Sequence, residues 1–154
     1  LRQNIRINNL GCVHTHNLGV WKEEGEIPLH FLNDEPLQAV SGSGDNANLQ
    51  TVKETTIPVI TLEQVLEEKV GQRIDLLKLD CEGAEYEILL NQDPRIFKNI
   101  DRIVMEYHDL NDQCNHCVLT DLFETLGYQV CRYENLVHDD LGYLYAERVQ
   151  RSGS

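Results

Sequence analysis

The sequence predicts an α/β domain of layered type, with a mostly parallel sheet, helices against it and an antiparallel hairpin at its C-terminal end. Three observations lead there. Apolar runs of strand length alternate with stretches of helical period along the chain. The run "IDLLKLD" at 74–80 carries four large aliphatic residues that do not alternate cleanly, as in a parallel strand covered on both faces. The last two strand-like segments follow one another without a helix between them.

In order, "LRQNIRINN" reads as the middle of an element, with Leu1, Ile5 and Asn8 at helical spacing and no capping residue before them. Residues 12–21 are strand-like, with Val13 and Thr15 on one side and His14 and His16 on the other. "GEIPLHFL" is a second strand, placed at an edge by Pro28. Residues 41–50, "SGSGDNANLQ", form a loop, either a surface insertion or a lid over a site. Thr61 caps the next helix and makes a capping-box spacing with Gln64, Leu62, Val65, Leu66 and Val70 form its apolar face, and Gly71 stops it. Strand 74–80 then leads into a helix at "CEGAEYEILLN", ended by Asp93-Pro94. "RIVMEYH" at 102–108 is the next strand, and "VLTDLFETLG" an amphipathic helix closed by Gly127. "YQVCRYEN" and "GYLYAERV" make the final hairpin.

A length of 154 residues suits one domain, over residues 1–150, with "RSGS" at 151–154 as a flexible tail. Thirteen Lys and Arg against 26 Asp and Glu leave a formal charge of −13, without the basic stripe a nucleic-acid partner requires. No apolar run approaches the roughly 20 residues of a membrane span. Five scattered cysteines lack the even pattern of a secreted disulfide framework, so a reducing, cytoplasmic setting is expected. Cys114 and Cys117 form a CxxC around His116, but no second pair follows at zinc-ribbon spacing, and they are read as cysteines at the start of a helix.

In open α/β sheets, ligands bind beyond the carboxyl ends of the strands. Two strands here end in polar groups: the first delivers Asp80 and Glu82, the second Glu106 and His108. Neighbouring strands would bring all four into one crevice, and Gly83 would let the backbone turn tightly there. Asp80 and Glu82 alternatively cap the following helix, and Glu85 and Glu87 read as solvated helix residues. Lys78, inside an apolar strand, requires a carboxylate partner if buried. His14 and His16 read as strand-face residues, His30 and His138 as surface ones, and His108, beside clustered acids, as a group able to titrate near neutral pH. Three carboxylates in one crevice need a cation: a divalent metal held by Asp80, Glu82 and Glu106, the Lys78 amine, or a cationic cofactor.

The stretch "IDLLKLDCEGAEYEIL", with "VITLEQVLEE" before it and "RIVMEYH" and "LFETLGYQV" after it, resembles the FkbM family of S-adenosylmethionine-dependent methyltransferases. Lys78, Asp80, Glu82, Gly83, Ala84 and Glu85 match the family's motif in order, Glu106, Tyr107 and His108 match a later one, and the opening "LRQNIRINNLG" is similar to a family helix. The resemblance extends from residue 1 to about 148. It implies a Rossmann-like class I methyltransferase sheet, S-adenosylmethionine as cofactor, and O-methylation of a hydroxyl on a small molecule or glycan. For that reaction His108 is the first candidate for general base, with Glu106 orienting or charging it, and Asp80 and Glu82 either position the acceptor and the cofactor's amino group or hold a divalent ion that lowers the acceptor's pKa; Asp80, Gly83 and, by analogy with the family, Asn17 are expected beside the cofactor. None of the ten glycines makes a GxG turn between a strand and a helix, so the N-terminal strands and the main cofactor cradle are expected upstream. A sheet missing that edge would invite self-association. Two other readings are a non-catalytic fragment or binding module, and a metal-dependent hydrolase using Asp80, Glu82, Glu106 and His108.

Overall fold

The computed structural model describes residues 1–32, 35–36, 53–71 and 73–149; the segment expected as a loop at 41–50 and the tail at 151–154 lie outside them. A short helix α1 (Arg2–Ile7) opens the chain without a side-chain cap. Strands β1 (Gly19–Val20), β2 (Gly25–Leu32), β3 (Glu35–Pro36) and β4 (Lys53–Ile60) form one sheet in the order β1-β4-β2-β3. Strands β5 (Leu77–Leu79), β6 (Arg102–His108), β7 (Tyr128–Glu134) and β8 (Leu141–Arg148) form a second, in the order β5-β6-β8-β7. Between them lie α2 (Leu62–Gln64), continued by a π-helical stretch at Val65–Val70, then α3 (Glu85–Leu89), a 3-10 turn at Ile96–Asn99 and α4 (His116–Thr125).

The fold is therefore mixed α/β, as expected, but its strands divide between two sheets and are not mostly parallel. Among the described residues only β1 with β4 and β5 with β6 run parallel, and the other pairs are antiparallel. The expected C-terminal hairpin is present as β7 and β8, in register from Tyr128 opposite Arg148 to Glu134 opposite Gly142. Gly142 is required there, because a Cβ at that position would collide with the Tyr107 hydroxyl and the Tyr133 carbonyl.

Several boundaries differ from the sequence reading. The strand expected at 12–21 shrinks to Gly19–Val20, and His14, His16 and Asn17 are exposed on irregular chain before it. β2 forms where expected but lies between β4 and β3; among the described residues it pairs with β3 at Phe31 and Leu32, and Pro28 pairs with Thr56 of β4. β4 is the strand that reasoning from pattern missed. It occupies a central place despite Pro58, a residue that argues against central strands because it lacks the donor a ladder needs. The strand expected at 74–80 is ordered as strand only over Leu77–Leu79, with an isolated bridge from Ile74 to Ile100. It stands at the sheet edge, and exposed Leu76 shows that it is not covered on both faces.

Thr61 makes the capping box in full: its hydroxyl accepts from the Gln64 amide at 3.2 Å, and the Gln64 side chain accepts from the Thr61 amide at 2.9 Å. Gly71 ends the segment in the left-handed region at φ +77°. One buried cluster joins Trp21, just after β1, and Val59 of β4 with Leu62 and Leu66, with Ile103, Met105, Leu144 and Ala146 of the second sheet, and with Leu119 and Phe123 of α4. That core supports β5 and β6 from beneath and fixes where their carboxyl ends emerge.

Candidate active site

Parallel pairing sets the geometry. Leu77, Lys78 and Leu79 lie opposite Ile103, Val104 and Met105, so the next residues, Asp80 and Glu106, arrive side by side. Along β6 burial alternates until its end: Ile103, Met105 and Tyr107 are buried, and Glu106 on the other face is half-buried. His108 breaks the alternation by being buried itself, 8% exposed. After β5 the chain turns at Glu82 and Gly83, both in the left-handed region at φ +53° and φ +95°, and enters α3. The tight turn expected of Gly83 is present, and Glu82, a residue with a Cβ, shares the conformation that glycine adopts without strain.

The turn brings the Glu82 carboxylate to 3.5 Å from Nε2 of His108. One ligand atom each from Glu82, Glu106 and His108 lies within 4.8 Å of the others. Two carboxylate oxygens and an imidazole nitrogen suit a divalent cation such as magnesium, manganese or zinc. This donor set differs from the expected one in that His108 replaces Asp80. The reason is Lys78: its ammonium donates to Asp80 Oδ2 at 2.6 Å and draws that carboxylate aside. The Lys78 bond, with Glu106 alongside, lowers the Asp80 pKa, and the same bond raises that of Lys78. Lys78 is not a buried amine, since its side chain is mostly exposed.

Neither Asp80 nor Glu82 caps the following helix, whose N-cap is Ala84 without a side-chain bond. The carboxylate that turns back on this segment belongs to Glu85. It was expected to be solvated and is instead fully buried. Its Oε1 accepts from the Cys81 amide at 3.2 Å and stands 3.4 Å from Nδ1 of His108. Burial raises the Glu85 pKa, opposed by surrounding amides and by the imidazole. A signal for this was present in the chain: Glu85 lies three and four positions before Ile88 and Leu89, on the face that both bury. Glu87 remains on the outside, paired with Lys22 at 2.9 Å.

The site therefore gathers Asp80, Glu82, Glu106 and His108, adds Glu85, and has Gly83 in its turn. Asn17 is not part of the gathering; it is exposed before β1, in the other sheet. His138 is exposed and the side chain of His30 lies outside the described residues. Cys114 and Cys117 are free thiols at the start of α4, where Asn115 accepts from the Cys117 and Val118 amides. His116 pairs with Asp109 at 2.7 Å, a contact that spacing did not indicate.

A comparison with family models matches residues 1–135 to the methyltransferase FkbM domain. The chain belongs to the FkbM methyltransferase family. Among curated proteins, this FkbM domain is similar to "Methyltransferase 1" of Beauveria bassiana, 26% identical over 144 residues, covering 84% of the chain and 57% of that protein. It is also similar to a segment of the "AMB antimetabolite synthetase AmbE" of Pseudomonas aeruginosa, 38% identical over 72 residues, covering 45% of the chain and 3% of that protein. The chain thus spans little more than half the length of the first relative and a small part of the second. No solved structure matches it. No helix among the described residues is long and apolar enough to cross a membrane.

Proposed function

We propose that this FkbM domain serves the transfer of a methyl group from S-adenosylmethionine to a hydroxyl oxygen of a small-molecule or glycan acceptor. The observation that carries the reading is the convergence of Glu82, Glu106 and His108 at the carboxyl ends of two parallel strands, in a chain of a methyltransferase family. When bound, S-adenosylmethionine supplies an electrophilic methyl group on a positively charged sulfur. Its sulfonium and ammonium charges suit the exposed carboxylates of Asp80 and Glu82, beside the Gly83 turn. His108 takes the acceptor's proton through Nε2 as the new oxygen–carbon bond forms, and Glu82 and Glu106 stabilise the imidazolium that results. Glu82, Glu106 and His108 alternatively hold a divalent cation that makes the hydroxyl more acidic. Membership of this family favours transfer to an acceptor over the hydrolysis that such a cluster also supports.

The test is labelled-methyl transfer by the full-length protein and its His108→Gln variant. Turnover is expected to fall by about 100-fold or more, with cofactor affinity, measured by calorimetry, changed by less than about twofold. Unchanged turnover removes His108 as the base.

A further inference from the structure

The proposed reaction leaves one buried acid without a task. Glu85 is 0% exposed, whereas the side chains of Asp80 and Glu82 are 49% and 66% exposed. Its Oε2 has no hydrogen-bond partner, and neither has Nδ1 of His108, although Oε1 lies 3.4 Å from that nitrogen. The adjoining residue of the same helix holds the other end of the histidine, since the Tyr86 hydroxyl donates to the His108 carbonyl at 2.9 Å. The first turn of α3 therefore faces His108 at both ring and main chain.

We infer that Glu85 is a positioning residue: its Oε1 accepts the Nδ1–H of His108 and so holds the neutral imidazole in the tautomer whose Nε2 carries the lone pair facing Glu82. With Glu85 ionised its oxygens only accept, as Oε1 does from the Cys81 amide, so its contact with Nδ1 is satisfied with the imidazole as donor. Glu82, 3.5 Å from Nε2, would by itself favour a proton on Nε2. The two acids differ in their access to water. Glu82 is solvated and keeps its hydrogen bonds to water without the imidazole, whereas Nδ1 is buried without a hydrogen-bond partner and Oε1 of Glu85 stands 3.4 Å from it. An imidazole protonated at Nε2 has no lone pair there for an acceptor's proton or for a cation. Asp80 and Glu106 also carry charge near the ring, and neither is hydrogen-bonded to Nδ1.

The catalytic consequence rests on the proposed function, but the tautomer does not. Nitrogen-15 NMR of the wild-type chain across an alkaline pH series, at the plateau where the shifts no longer change, reads the neutral tautomer directly, with the His108 signals assigned by their loss in His108→Gln. Nδ1 is expected to carry the proton; a proton on Nε2 overturns the inference without any further variant. In Glu85→Leu the proton is expected to move to Nε2, with kcat falling about 10- to 100-fold and the acceptor KM changing less than about twofold. An unchanged tautomer in that variant also overturns it. If the wild-type protein transfers no methyl group, the proposed reaction fails, and the two NMR measurements still decide the role of Glu85.

Discussion

Carboxylates that look alike in a sequence differ by what surrounds them. In the segment from Asp80 to Glu85, one acid is paired with a lysine, one is solvated in a left-handed turn and one is sealed under a histidine. Asp93 shows a fourth environment. Its carboxylate accepts from the Arg95 guanidinium at 2.6 Å and, secondarily, from the Arg95 amide at 2.8 Å, which pull its pKa down to about 2. A carboxyl whose pKa is lower in the folded chain than in the unfolded one stabilises the fold above the unfolded value, and that contribution is lost as pH falls through the folded value. The difference in thermal midpoint between wild type and Asp93→Asn is therefore expected to be steady above about pH 4 and to shrink as pH falls toward 2. A difference that stays constant through that window contradicts the pairing. At this scale residue types were legible but their states were not. The motif named Asp80, Glu82, Glu85, Glu106 and His108, and the spacing of Glu85 to Ile88 and Leu89 marks the face of α3 that is buried, but that this face brings Glu85 against His108 depends on the contact between α3 and β6.

Elements were legible where their signals are local. The capping box at Thr61 and Gln64 needs only four consecutive residues, and the structure forms both of its bonds. Thr61→Ala is expected to lower stability by about 1 kcal/mol in urea unfolding, whereas Thr61→Ser, which keeps the acceptor, is expected to restore most of it. The stop at Gly71 and the hairpin of β7 and β8 are equally local. α4 begins at His116, two residues before the expected start at Val118, because the Asn115 side chain caps it there. Strand β4 was illegible for a physical reason. Pro58 lowers its strand propensity, and its place between β1 and β2 comes from pairing with residues some thirty positions away in the chain.

Across the whole molecule, the α4 face packs on the second sheet through a chain of rings. Phe123 meets Phe97 and Tyr128 edge-on, at centroid distances of 6.4 and 5.9 Å. The Tyr128 hydroxyl donates to the carbonyls of Phe97 and Ile100, and the Arg148 guanidinium lies 4.8 Å over the Tyr128 ring. Phe123 is fully buried, so Phe123→Ala is expected to destabilise the domain by about 3–5 kcal/mol. Leu136 is fully exposed, and Leu136→Ala should change stability by no more than about 0.5 kcal/mol. Comparable losses in the two variants would mean that α4 is not seated on this core.

The sequence by itself determined the family motif, the order of strands and helices around it, and the chemical types gathered at the ends of two strands. Those features depend on period, caps and turns that act over a few residues. The tertiary structure decided the division of the strands between two sheets, the diversion of Asp80 by Lys78 and the burial of Glu85 against His108. The first and the last of these are set by which distant segments exclude water from one another, and the second by an exposed pairing within one strand end, so a carboxylate changes its role with what replaces its solvent.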